Sequence, residues 1–102
     1  MQFWELINRS NFLKDKFKNI EDHFKEIEIN GISNNSKNIK KKFIFFAFTG
    51  NKTNGNLYIN EARKYGAKII ISQEEKDKDI IKLTNKDYSK IYSHLCSSFY
   101  NK

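Results

Sequence analysis

Apolar positions recur first at three- and four-residue steps. Phe3, Trp4, Leu6 and Ile7 fit a short docking helix, and Phe12, Leu13, Phe17, Ile20 and Phe24 predict a second helix over residues 12–24 with one buried face. The pattern then changes to strict alternation. Glu26-Ile-Glu-Ile-Asn-Gly-Ile32 predicts a half-buried strand with Ile27 and Ile29 pointing inward, followed by the polar turn Ser33-Asn-Asn-Ser36. Phe43-Ile-Phe-Phe-Ala-Phe48 is a short continuous apolar run, the signature of a strand buried on both faces. A loop with two glycines follows, Thr49-Gly-Asn-Lys-Thr-Asn-Gly55. The amphipathic stretch from Asn56 to Gly66 then predicts a helix, with Asn54 or Gly55 as N-cap, Tyr58, Ile59, Ala62 and Tyr65 on or near one face, and Gly66 as a left-handed C-cap. Lys68-Ile-Ile-Ile-Ser72 supplies the next buried strand.

Strand, helix and strand with so short a return predict a right-handed parallel βαβ unit. The fold class expected is therefore α/β: a small single domain with a parallel or mixed sheet flanked by helices, built on that unit. Ligands of such units sit beyond the carboxyl end of the first strand, which directs attention to Thr49–Gly55. Gln73 to Asp79 reads as an exposed charged loop. Ile80, Ile81 and Leu83 can add a further parallel strand, and Tyr88, Ile91, Tyr92, Leu95 and Phe99 mark the apolar stripe of a last helix.

The length of 102 residues suits one core and one site. No apolar run approaches the roughly 20 residues that span a bilayer, and no secretory leader opens the chain, so a cytoplasmic protein with no membrane partner is expected. Cys96 lies on the apolar helical face without a partner cysteine and reads as a packing residue. The net charge of +7 raises nucleic acid as a partner, but the chain has only two arginines, Arg9 and Arg63, and its aromatics fall mostly at core spacings. The Lys37–Lys42 segment, with lysines at 37, 40, 41 and 42, reads as a solvated loop, with Ser36 and Lys37 facing an anionic ligand as the alternative.

Gly50 and Gly55 have the spacing and context of a phosphate-binding P-loop, yet Asn56 and Leu57 stand where it needs a lysine and a hydroxyl residue. Phosphoryl transfer from this loop is not expected. His94 and Cys96 are two apart on a predicted helix and diverge, and His23 sits among charged neighbours and is expected to face solvent. These residues describe a binding domain.

The order of motifs from Ile32-Ser-Asn-Asn-Ser-Lys37 through Phe43-Ile-Phe-Phe-Ala47, Gly50 and Asn54-Gly55, to a helix closing on Gly66-Ala67 before Ile69-Ile-Ile71, resembles the N-terminal domain of the Mur ligases. It is most similar to the tripeptide synthetases, the MurE type. That pattern runs Asp-Ser-Arg, Gly-Asp-Leu-Phe-Phe-Ala, Gly and Asp-Gly before its helix. Asn35 here replaces the first Asp, Lys37 the Arg, Lys41-Lys42 a Pro-Gly, Phe43 the second Asp and Asn54 the last. Lysine in place of arginine keeps the charge but loses two-pronged hydrogen bonding. The resemblance covers about residues 27 to 102.

What the resemblance implies is a domain that holds the uridine diphosphate end of a UDP-MurNAc-peptide, with residues 1–25 as a helical lead-in and 26–102 as the substrate domain, stopping before the ATP-binding central domain. Such a fragment is not catalytic alone and carries no cofactor. ATP and Mg²⁺, and the ATP-dependent addition of the third residue to UDP-MurNAc-L-Ala-D-Glu, are expected of the intact enzyme, and a monomer is expected. The positions matching the family's substrate contacts are Asn34 and Ser36 in the first loop and Asn51, Lys52 and Thr53 in the second. The alternatives are a MurF-type domain or a small basic nucleic-acid or protein-interaction module.

Overall fold

The computed structural model describes residues 1–48, 55–84 and 86–101. Four short strands, β1 (Gly31–Ser33), β2 (Phe43–Phe46), β3 (Ile69–Ser72) and β4 (Ile80–Lys82), form one sheet in the order β1-β2-β3-β4. All pairs are parallel, with Ile32 beside Ile44, Phe45 beside Ile70 and Ile71 beside Ile81. Helix α3 (Ile59–Tyr65) crosses from β2 to β3, and α1 (Phe3–Asn8), α2 (Asn11–Lys16) and α4 (Tyr88–Tyr100) complete the α/β domain.

Alternate residues of the apolar strands serve two cores. Ile44, Phe46, Ile69, Ile71 and Ile81 pack with Phe3, Leu6, Leu13, Phe17, Phe24, Ile91 and Leu95 on the face covered by α1, α2 and α4. Phe45, Ala47, Ile70 and Ile80 pack with Ile39, Ile59, Ala62 and Ala67 on the α3 face. The β1–β2 connection, which contributes Ile39, and α3 therefore lie on one side of the sheet. A parallel sheet built in sequential order with crossovers of one hand requires that arrangement. The β3–β4 loop is tied to the same side by Arg63, which donates from Nε and Nη2 to the two Asp79 oxygens at 2.8 and 2.7 Å and from Nη2 to Asp77 at 3.2 Å. This two-pronged hydrogen bonding holds the Asp79 carboxyl below its ordinary range, against the opposing effect of burial.

The strands at 43–46, 69–72 and 80–82 and the last helix lie where the sequence places them. The expected helix over residues 12–24 does not. It ends at Lys16, and Phe24 reaches the core from a separate 3-10 turn, Asp22–Phe24. The cause is tertiary: Phe3 N–H donates to Ile27 O at 2.9 Å and Trp4 N–H to Lys25 O at 3.0 Å, so α1 claims the backbone that follows the turn. The alternating segment is also paired differently from the expectation. Ile29 is buried and Ile27 half-buried, as predicted, but Ile29 N–H donates to Met1 O and Glu28 bridges Gln2, so β1 starts only at Gly31. Helix α3 begins at Ile59 after a 3-10 turn over Gly55–Tyr58. Of the two expected N-caps, Asn54 lies outside the described residues, and Gly55 opens the 3-10 turn while Tyr58 stands at the α3 cap. Tyr58 and Tyr65 leave the predicted buried face and are 42% and 47% exposed.

Gly66 caps α3 at φ 114°, the left-handed conformation expected of it. Lys42, at φ 65°, shares that uncommon region without the excuse of lacking a side chain, and it stands where the resembled pattern has glycine. Lys42→Gly is accordingly expected to relieve strain and raise stability by about 1 kcal/mol, read as a higher urea midpoint with unchanged slope.

Candidate functional site

The carboxyl ends of β1 and β2 open onto a cleft of about 360 Å³ lined by Asn34, Asn35, Ser36, Lys37, Phe45, Phe48 and Tyr58. This is the end of a parallel sheet at which α/β domains hold ligands. Its first wall is the segment after β1, folded by its own short polar side chains. Ser33 Oγ accepts from Asn35 N–H at 3.0 Å, and Asn35 Oδ1 accepts from Lys37 N–H at 3.0 Å at the start of a 3-10 turn over Ser36–Asn38. An Asp at position 35 would accept in the same way, so the departure from the resembled pattern leaves this turn intact. Ser36 is buried, while Asn34, Asn35 and Lys37 are exposed.

The back of the cleft is aromatic. Phe48 meets Tyr88 and Tyr92 edge to face at 5.4 and 5.3 Å, and Phe46 beneath lies 4.4 Å from Tyr88. Buried Tyr88 directs its hydroxyl to Ala47 O at 2.6 Å and Ile71 O at 2.9 Å, which ties β2 to β3 where the chain leaves the sheet toward residues 49–54. Burial raises the Tyr88 phenol far above its ordinary range. Burial and the neighbouring Cys96 thiol push Tyr92 up to about 12, with the Asn34 backbone acting the other way. Burial also raises the Cys96 thiol, which makes it a poor nucleophile and fits its packing role.

Of the sequence-predicted site residues, Asn34 and Ser36 both line this cleft, and Lys37 joins them. Asn51, Lys52 and Thr53 lie outside the described residues. Two participants were not legible in the sequence. Tyr58 carried a helical-face signal but contributes a half-exposed ring to the cleft, and Glu61, which no sequence motif singles out, accepts a hydrogen bond from Ser36 Oγ at 2.5 Å. A larger hollow of about 460 Å³ lies by β4, but Lys16 in its lining is already paired with Asp87 at 3.2 Å.

The remaining candidates stay apart from this cleft. His23 is exposed, with Nε2 2.7 Å from Lys78 O, and His94 stacks on Phe12 at 4.4 Å. Among the described residues no group of three or more His, Cys, Asp or Glu side chains could hold a metal ion. Both arginines are engaged within the fold, Arg9 with Ser98 O at 3.1 Å and Arg63 with Asp77 and Asp79. Among the described residues no helix is long and apolar enough to cross a membrane.

Comparison with known proteins agrees with this architecture. Residues 28–100 match the profile described as Mur ligase family, catalytic domain, and the chain belongs to the Mur ligase family. It is similar to the UDP-N-acetylmuramoyl-L-alanyl-D-glutamate–2,6-diaminopimelate ligase of Rickettsia typhi, 38% identical over 65 residues that make up 64% of this chain and 13% of that protein. The ligase of the same name from Clostridium tetani is 38% identical over 80 residues, 74% of this chain and 16% of the relative. That of Caldanaerobacter subterraneus subsp. tengcongensis is 31% identical over 98 residues, 87% and 20%. This chain thus spans between 13 and 20% of the length of these relatives.

Among solved structures, MurF from Acinetobacter baumannii superposes with a TM-score of 0.59 at 19% identity, over 76% of this chain and 17% of that one. The MurF ligase of Thermotoga maritima, solved in complex with ADP, gives 0.54 at 22% identity, over 71% and 17%. At these identities the structures establish the α/β fold.

Proposed function

We propose that the chain is the N-terminal UDP-MurNAc-peptide-binding domain of a peptidoglycan-precursor ligase of the diaminopimelate-adding, tripeptide-forming type. The observation that carries the reading is the cleft at the carboxyl ends of β1 and β2, which combines Asn34, Ser36 and Lys37 with the aromatic rings of Phe48 and Tyr58. A nucleotide offers both matching chemistries, a flat ring for aromatic contact and an anionic diphosphate for lysine. Asn51, Lys52 and Thr53, which follow Phe48 in the sequence, complete the proposed contact set. The names of the relatives favour the diaminopimelate-adding branch over the MurF type.

In this reading residues 1–25 are the helical lead-in, although Phe3, Leu6 and Leu13 share one core with the sheet, and residues 26–102 are the substrate domain. The intact protein is a cytoplasmic, monomeric ATP-dependent ligase whose ATP and Mg²⁺ bind a central domain outside this chain. The residues present do not fit that pair themselves: Asn56 and Leu57 replace the lysine and hydroxyl of a P-loop, and the described residues hold no metal-binding cluster. The contribution of this chain is to bind and orient the nucleotide end of the substrate, so that remote binding energy fixes the reacting peptide end.

A backbone-amide NMR titration of the 102-residue chain with millimolar UDP-MurNAc-L-Ala-D-Glu, UMP and a short single-stranded DNA tests the reading. Both uridine ligands are expected to shift Asn34–Lys37, Asn51–Thr53 and Tyr58. Shifts with DNA alone, centred on lysines and abolished by salt, would favour a basic interaction module instead. No shifts with either uridine ligand would overturn the assignment.

A further inference from the structure

Ser36 is 5% exposed, and its hydroxyl hydrogen is committed to Glu61, 25 positions away on α3, at 2.5 Å. A serine hydroxyl carries one hydrogen and two lone pairs, whereas an ionised carboxylate can only accept. Ser36 lines the cleft, and with its hydrogen given to Glu61 its oxygen can offer a ligand only a lone pair. A diphosphate oxygen has no hydrogen to bring, and it would meet both that lone pair and the nearby Glu61 charge. The group seated at Ser36 must therefore be a donor, and a uridine nucleoside has such donors in its imide N–H and its ribose hydroxyls.

We propose that Glu61 is a positioning residue that fixes Ser36 as a hydrogen-bond acceptor and so makes the Ser36 end of the cleft the nucleoside end. The inference rests on the uridine-nucleotide reading above and adds an orientation to it. The alternative in which Ser36 itself faces an anionic ligand is set aside, and Lys37, exposed at the rim, takes the diphosphate side. The aromatic rings of Phe45, Phe48 and Tyr58 in the same lining give the nucleoside end apolar surface. The hydrogen bond also joins the β1–β2 connection to α3, so the acceptor is held by two elements of the scaffold rather than by a free loop.

The test measures affinities of UDP, 3-methyl-UDP, 2′-deoxy-UDP and 3′-deoxy-UDP by NMR titration of the unmodified chain and of Ser36→Ala, Glu61→Ala and Glu61→Gln. The methyl analogue removes the imide donor and each deoxy analogue one ribose donor. One of the three is expected to bind the unmodified chain about tenfold more weakly than UDP, because it leaves a buried acceptor unpaired. Ser36→Ala should erase that ratio. Glu61→Ala, which frees the hydroxyl to turn, should shrink it several-fold, and Glu61→Gln, whose amide oxygen still accepts from Ser36, should restore it. A merely structural role for Glu61 would change all affinities together and leave the ratio alone. All three analogues bound as tightly as UDP, or a ratio untouched by Ser36→Ala and Glu61→Ala, would overturn this inference while the uridine reading stands. Failure of the unmodified chain to bind UDP at all would remove both.

Discussion

Phe46→Ala is expected to destabilise the domain by about 4 kcal/mol, a large part of the 5–15 kcal/mol typical of a domain this size. Phe46 is fully buried in the middle of the sheet, and its ring lies 4.4 Å from Tyr88, 5.1 Å from Tyr92 and 5.2 Å from Phe48. Truncation removes the transfer energy of the ring and leaves a void that β2 and α4, both anchored elsewhere, cannot close. Urea unfolding followed by circular dichroism reads the change as a lower midpoint. Because Phe48 and Tyr92 back the candidate cleft, any uridine binding should weaken as well, even in the fraction that stays folded.

Gly66→Ala is the second large effect, expected at about 3 kcal/mol, and its cause is the backbone rather than a void. At φ 114° an alanine is strained, and a Cβ there would stand 2.7 Å from Lys41 Cα and 3.0 Å from Lys41 N. These are main-chain atoms, which cannot rotate away as a side-chain tip can. The Gly66 carbonyl also accepts from Lys42 N–H at 2.9 Å, so the α3 cap and the entry to β2 would move together. The same unfolding measurement applies, and a midpoint equal to that of the unmodified chain would show that the cap is not tightly packed. Lys42→Gly, one hydrogen bond away, carries the opposite sign, so the pair separates backbone strain from general sensitivity of this corner.

The parts of the fold that were legible share one property: their signal is contained in neighbouring residues. Phe43–Phe46, Ile69–Ser72 and Ile80–Lys82 are short apolar runs, Tyr88, Ile91 and Leu95 recur at helical spacing, and Gly66 ends an amphipathic stretch. The candidate site was legible only as a region, through the rule that parallel sheets bind ligands at their carboxyl ends and through the ordered motifs that placed Asn34 and Ser36.

The sequence by itself determined the βαβ unit, a sheet flanked by helices and the end of it on which to look, because periodicity, glycine placement and short crossovers are local constraints. The structure decided that every strand pair is parallel rather than mixed. Tertiary structure alone decided that the helical pattern of residues 12–24 breaks at Lys16, that Gln2 and Met1 take the pairing of Glu28 and Ile29, that Tyr58 turns to the cleft, and that Glu61 takes the hydrogen of Ser36. Each of these sets a contact between distant segments against a local preference. The distant contact prevails because burial and hydrogen bonding across the fold outweigh the few tenths of a kcal/mol per residue that local propensity supplies.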